Sequence, residues 1–183
     1  MSLNSCIMVL DPDTGDLVEL QQFVLAHAGS CPTGYALLED QKAGGTHGGT
    51  ATQGTWQLRD INTVVADTIG VSLANNSFTL PAGTYRIKAK VPGLHVDRHM
   101  ARLINITTGE VVAYGTSEYS DETPAHGTTS SLIETCVTLT SSTVFEVHHQ
   151  VGQTNTNVGL GLACGTVLNI EYETYTRVSI ERI

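Results

Sequence analysis

Residues 81–91 read Pro81-Ala82-Gly83-Thr84-Tyr85-Arg86-Ile87-Lys88-Ala89-Lys90-Val91. The Pro-Ala-Gly start is turn chemistry: proline presets φ, and glycine accepts backbone angles that side chains disfavour. After it the chain alternates. Tyr85, Ile87, Ala89 and Val91 point one way, while Arg86, Lys88 and Lys90 point the other. Period two with a single apolar face is the pattern of a half-buried antiparallel strand.

Working outward, the same punctuation recurs on both sides. Trp56 to Val65 reads as one segment, and Asn75-Asn76-Ser77 turns into Phe78-Thr79-Leu80. Met100 to Ile106 and Val111 to Tyr114 flank a Thr107-Thr108-Gly109 turn. Leu132 to Leu139 and Val144 to Val151 flank Thr140-Ser141-Ser142. Ser120 to Thr128 and Gln153 to Asn157 read as polar loops. Val167 to Ile183 is predicted to alternate throughout. Leu168, Ile170, Tyr172, Val178 and Ile180 would share one face, and Asn169, Glu171, Glu173, Arg177 and Glu181 the other. About eight to ten short strands, with turn signals every 8–12 residues or so, indicate a sandwich or a barrel. No segment carries a helical period.

Composition agrees. The 183 residues include 25 Thr, 17 Val and 10 Ile, which fit pleated strands better than helices. There is no apolar run long enough for a membrane helix. The formal net charge is −9, with only three Lys and six Arg and no basic cluster. Nucleic-acid binding, which rests on clustered cations, is therefore not expected, nor is membrane insertion. Cys6, Cys31, Cys136 and Cys164 lie far apart without a C-x-x-C pair, so no zinc knuckle is expected and free thiols are. Met1 to Leu10 lacks the charged and long apolar regions of a secretory leader.

Residues 1–45 differ from the rest. Ile7 to Leu10 and Leu17 to Leu20 flank Asp11-Pro12-Asp13-Thr14-Gly15-Asp16, which reads as strand, turn, strand. Phe23 to Ala28 extends that strand or forms a short helical turn. Gly44-Gly45-Thr46-His47-Gly48-Gly49 has no apolar anchor and reads as a linker. The expected organisation is thus an N-terminal hairpin and linker over 1–45 and a β domain over 46–183.

Several stretches then carry a family resemblance. They are Gly54-Thr55-Trp56-Gln57-Leu58-Arg59-Asp60-Ile61-Asn62-Thr63, Phe78 through Ile87, Arg98-His99-Met100-Ala101-Arg102-Leu103, Tyr114 through Tyr119, and the closing Val178-Ser179-Ile180-Glu181-Arg182-Ile183. Together they resemble the C-terminal head domains of bacteriophage tail-fibre and other virion-surface proteins, which look similar to the jelly roll of tumour necrosis factor and the complement globular heads. The Leu80-Pro81-Ala82-Gly83-Thr84-Tyr85 piece is the most specific part of the match. The resemblance implies a jelly-roll sandwich of about ten strands, assembled as a homotrimer and displayed on a virion. It also implies a host-surface glycan or protein receptor, with residues 1–45 contacting other virion proteins. Exposed faces rich in Thr, Ser, Asn and Gly rather than Lys and Glu suit subunit contacts. The alternatives are a carbohydrate-binding module of a secreted cellular protein and a metal enzyme of the cupin type, whose His-x-His signature is missing.

Few residues read as chemistry. No serine sits in a G-x-S-x-G elbow, no cysteine has a catalytic neighbourhood, and no enzyme activity or cofactor is expected. His95, Asp97 and His99 would share one face of a strand and form a possible metal set, if a loop or bulge drew them together. His148 and His149 should point to opposite faces. For sugar binding, an aromatic face beside hydroxyl or amide groups is needed, and Tyr114, Tyr119, Asn155 and Asn157 are the candidates in or beside loops.

Overall fold

The computed structural model describes residues 8–19, 32–121, 127–165 and 167–183. The chain divides into two compact units, residues 1–31 and 32–183. Phe23 to Ala28, Cys6, Cys31 and His126 lie outside the described residues.

In the first unit, β1 (Met8–Leu10) pairs antiparallel with β2 (Leu17–Glu19), with Met8 opposite Glu19. The connecting turn is the predicted one. The Asp11 carboxylate accepts from the Asp13 N–H at 2.8 Å, and Gly15 takes φ +77°. That angle is where glycine avoids the Cβ penalty.

The second unit is a sandwich, and among its described residues all the regular structure is β. One sheet runs in the order β12 (Thr129–Leu139), β8 (Gly83–Gly93), β14 (Tyr172–Arg182), β3 (Gly34–Ala43), β5 (Thr63–Asp67). The other runs β10 (Glu110–Tyr114), β9 (Asp97–Asn105), β13 (Thr143–Val151), β7 (Ser77–Leu80), β6 (Ser72–Ala74). Two short strands extend it: β11 (Glu118–Ser120) joins β9, and β4 (Gln57–Leu58) joins β13. The opening stretch behaves as read, with Tyr85, Ile87, Ala89 and Val91 buried and Lys88 and Lys90 exposed. Between the sheets Phe78 stacks on Phe145 at 5.6 Å, among Leu38, Leu80, Leu103 and Ile180. Removing each such side chain from water contributes roughly 1.5–3 kcal/mol.

Two expectations fail here. The β domain begins at Pro32, not residue 46, because β3 lies inside its sheet, paired with β14 and β5. The hydrophobic pattern hid β3 because it buries two carboxylates. Glu39 accepts from Arg177 Nε at 2.6 Å, and Asp40 lies 3.1 Å from Lys42 Nζ. The glycine run is no free linker either. Gly48 donates to the Gly161 carbonyl at 2.8 Å, and a Cβ on Gly44 would meet the Ile170 carbonyl.

The second failure is the phase of the last strand. Leu168, Ile170 and Tyr172 are 57 %, 37 % and 53 % exposed. A bulge lies between Thr174 and Arg177, where three steps along β14 oppose two along β3. Tyr175 and Thr176 are therefore both buried, and the inward parity switches from odd at Glu173 to even at Val178 and Ile180. The segment predicted as one strand from Trp56 to Val65 also divides, since β4 and β5 belong to different sheets.

Candidate functional site

β9 positions the site by strict alternation. His99, Ala101 and Leu103 are buried, while Arg98, Met100 and Arg102 face outward. On that outer face lies an open groove of about 660 Å³. Trp56 and Tyr119 line it, with Met100, Gln150, Ser117 and Glu118. Trp56 comes from just before β4, Tyr119 from β11 and Gln150 from β13, so only the folded sheet brings them together.

Trp56 is held from below. The Arg102 guanidinium carbon lies 4.3 Å from its ring centroid, and Tyr114 packs at its side with centroids 6.1 Å apart. Arg102 Nη2 donates to His148 Nδ1 at 3.2 Å, since arginine has no acceptor. His148 Nε2 is 2.8 Å from Glu146 Oε2, and Ser77 donates to Glu146 Oε1 at 2.8 Å. Ser77, Glu146, His148 and Arg102 thus form a polar strut under the tryptophan. Serine and histidine both meet the glutamate rather than each other, so no nucleophile–base pair forms.

A second chain runs through the interior beneath the groove. Arg59 is fully buried, between Thr176 Oγ1 (2.9 Å), the Leu160 carbonyl (2.9 Å), the Pro92 carbonyl (3.2 Å) and His149 Nδ1 (3.4 Å). His149 Nε2 lies 2.9 Å from His99 Nδ1, and His99 Nε2 lies 2.8 Å from Thr129 Oγ1. Burial penalises every charge here. It draws Arg59 down to about 10, although the more distant Asp40 and Asp60 oppose this. Burial, and then the Arg59 charge, draws His149 down to about 2. Burial draws His99 to about 4 against the pull of Glu118.

The predicted ligand residues separate into two groups. Tyr119 lines the groove at 54 % exposure, and Tyr114 stands beside Trp56 at 57 %. Asn155 is structural: its amide donates to the Leu94 carbonyl at 2.8 Å, and its backbone bridges to Ala51. Asn157 holds a left-handed turn at φ +65°, its N–H on Thr50 Oγ1. Neither asparagine is among the groove's lining residues. His95, Asp97 and His99 are not assembled into a ligand set, because both nitrogens of His99 are engaged inside the sandwich. No group of three His, Cys, Asp or Glu among the described residues has metal-binding geometry. His148 and His149 do face opposite ways. Cys136 and Cys164 are free and exposed. Sequence reading gave Trp56, Gln150 and Arg102 no role. The only signal was a lone tryptophan beside strands of alternating pattern.

Comparison with known proteins bears on the fold. No family model matches the chain, and no curated protein sequence matches it. Among solved structures, murine APRIL at pH 5.0 is similar with a TM-score of 0.50 and 9 % identity, over 81 % of this chain and 99 % of that one. The globular domain of zebrafish complement 1qA protein gives a TM-score of 0.49 and 12 % identity, over 84 % and 98 %. The protein is an all-β jelly-roll sandwich of the tumour-necrosis-factor-like type, with a β-hairpin appendage.

Proposed function

We propose that the protein is a non-enzymatic binding head, displayed as a homotrimer on a phage tail fibre or virion surface, that holds a host-surface glycan in the β9 groove. The groove carries this reading. It offers two aromatic side chains, Trp56 and Tyr119, beside the amide of Gln150 and the hydroxyl of Ser117, the combination sugars need. Glu118 is the one carboxylate among its described lining residues, whereas glycoside cleavage takes two.

The five-stranded sheet supports assembly. Its strands leave Tyr35, Val64, Val65 and Leu132 exposed beside the ion pairs Lys88–Glu134 and Arg86–Glu181. Large exposed apolar side chains on one layer suit a subunit interface, and cyclic closure is the common outcome. Residues 1–31 are the part that would contact other virion proteins.

Light scattering and a glycan array test the reading together. A trimer of the 19.5 kDa chain has a mass of about 58 kDa. A monomer at micromolar concentration would sink the trimer, and a monomer that binds glycans would instead favour a carbohydrate-binding module. Tail or capsid genes beside its own are the expected genomic neighbours.

A further inference from the structure

We infer that the groove holds a linear, uncharged oligosaccharide across at least three sugar rings, rather than one sugar. This rests on the glycan reading above. The two aromatic side chains stand at different levels of β9. Arg102 lies against Trp56 at 4.3 Å, and Arg98 lies over Tyr119 at 5.9 Å. The two arginines are four residues apart on one strand face, which sets their Cα atoms roughly 13 Å apart. Met100 lies between them in the groove. That span exceeds one sugar ring, and a groove of about 660 Å³ lies within the range of ligand sites that hold more than one ring.

The charges select against an acidic chain. Arg98 is paired with Asp97 at 3.2 Å, and Arg102 is spent on His148 and Trp56. Glu118 accepts from Thr116 Oγ1 at 2.6 Å. Asp97 already offsets the exposed Arg98, Glu118 adds a second carboxylate, and the unpaired Arg102 Nε is buried, so a carboxylated sugar meets no net attraction. Neutral hydroxyls need no cation; Gln150 and Ser117 suit them. Stacking on two separate rings makes affinity depend on ligand length, because a short ligand reaches only one.

The test is calorimetric titration with gluco-, galacto- and N-acetylglucosamine oligosaccharides of one to five rings, beside sialylated chains of matched length. Affinity is expected to rise about tenfold when the second aromatic ring is reached, then to level off. Trp56→Ala and Tyr119→Ala should each lower the three-ring affinity to the single-ring value, with unchanged circular dichroism, while Tyr119→Phe keeps it. Equal affinity for one and three rings would overturn the inference and leave the glycan reading standing. Preference for sialylated chains would overturn the uncharged part. Binding of none of these sugars, or of a proline-rich peptide in their place, would overturn both.

Discussion

The Arg59 guanidinium faces His149 Nδ1 at 3.4 Å, and this single relationship fixes the protons of two buried imidazoles. Arginine only donates, so His149 Nδ1 must be bare and Nε2 must carry the hydrogen. That hydrogen points at His99 Nδ1, so His99 also holds its proton on Nε2 and donates to Thr129. Nitrogen NMR of the histidine side chains at neutral pH is expected to find both rings as Nε2–H tautomers. An Nδ1–H signal from either would refute the chain.

Acid should weaken the fold through the same pair. Both histidines have folded-state values below the ordinary 6.5, at about 4 and about 2. The unfolded chain therefore binds protons first. The stabilisation is complete above pH 6.5 and is lost as the pH falls through about 4 and on towards 2. Urea unfolding across this range should show a midpoint that drops with acid. His99→Gln should flatten part of the slope. An unchanged slope in that variant would count against His99.

Arg59→Met removes the donor for four buried acceptors without removing the acceptors. The carbonyls of Pro92 and Leu160, Thr176 Oγ1 and His149 Nδ1 would be left unpaired. The expected loss is about 3–5 kcal/mol in chemical denaturation. Arg59→Lys should recover little, since one ammonium cannot reach the same fan of acceptors. A loss below about 1 kcal/mol would show that water replaces the guanidinium.

Glu173 ties two loops together. Burial works against its charge, but the N–H groups of Gly165, Gly45 and Cys164 outweigh it and hold the carboxyl below its usual range. The bonds measure 2.6, 3.0 and 3.1 Å. Glu173→Gln turns one acceptor into a donor. Hydrogen exchange at these three amides should then quicken while β8 and β13 keep their protection. Unchanged exchange at all three would refute the tie.

Two glycines give a matched comparison. A Cβ on Gly161, at φ +149°, would lie 2.0 Å from the Tyr175 ring, whose hydroxyl donates to the Thr46 carbonyl at 2.7 Å. Gly109 has φ +77° with nothing within 4 Å. Gly109→Ala should cost about 1 kcal/mol, from backbone strain alone. Gly161→Ala should cost at least about twice that, because φ +149° strains a side-chain residue more than φ +77° and the ring must move as well. Equal costs in thermal unfolding would refute the packing account.

The sandwich was legible wherever one face was apolar and the other polar. Tyr85 to Val91 and the His148–His149 pair are such cases, since the pleat alone decides them. β3 was not legible, because Glu39 and Asp40 break its apolar pattern, and the Arg177 that meets Glu39 lies far away in the sequence. The β14 phase was hidden because a bulge has no compositional mark of its own. Tyr119 was read as lying in or beside a loop and sits on β11, while Trp56, which lines the same groove, was given no role. Their proximity depends on β4 pairing with β13 while β11 pairs with β9, which no local pattern encodes.

The β14 bulge has a consequence for how this sequence can vary. In an ordinary strand, losing one residue turns every later side chain inside out. Here the odd-phase half, with Glu173, serves the loops, and the even-phase half, with Val178 and Ile180, serves the main core. The two halves share no parity, so each can exchange its inward residues without constraining the other. The single extra residue acts as a clutch between two reading frames of one strand. Length changes in this strand are best tolerated when they come in pairs, on either side of Tyr175 and Thr176.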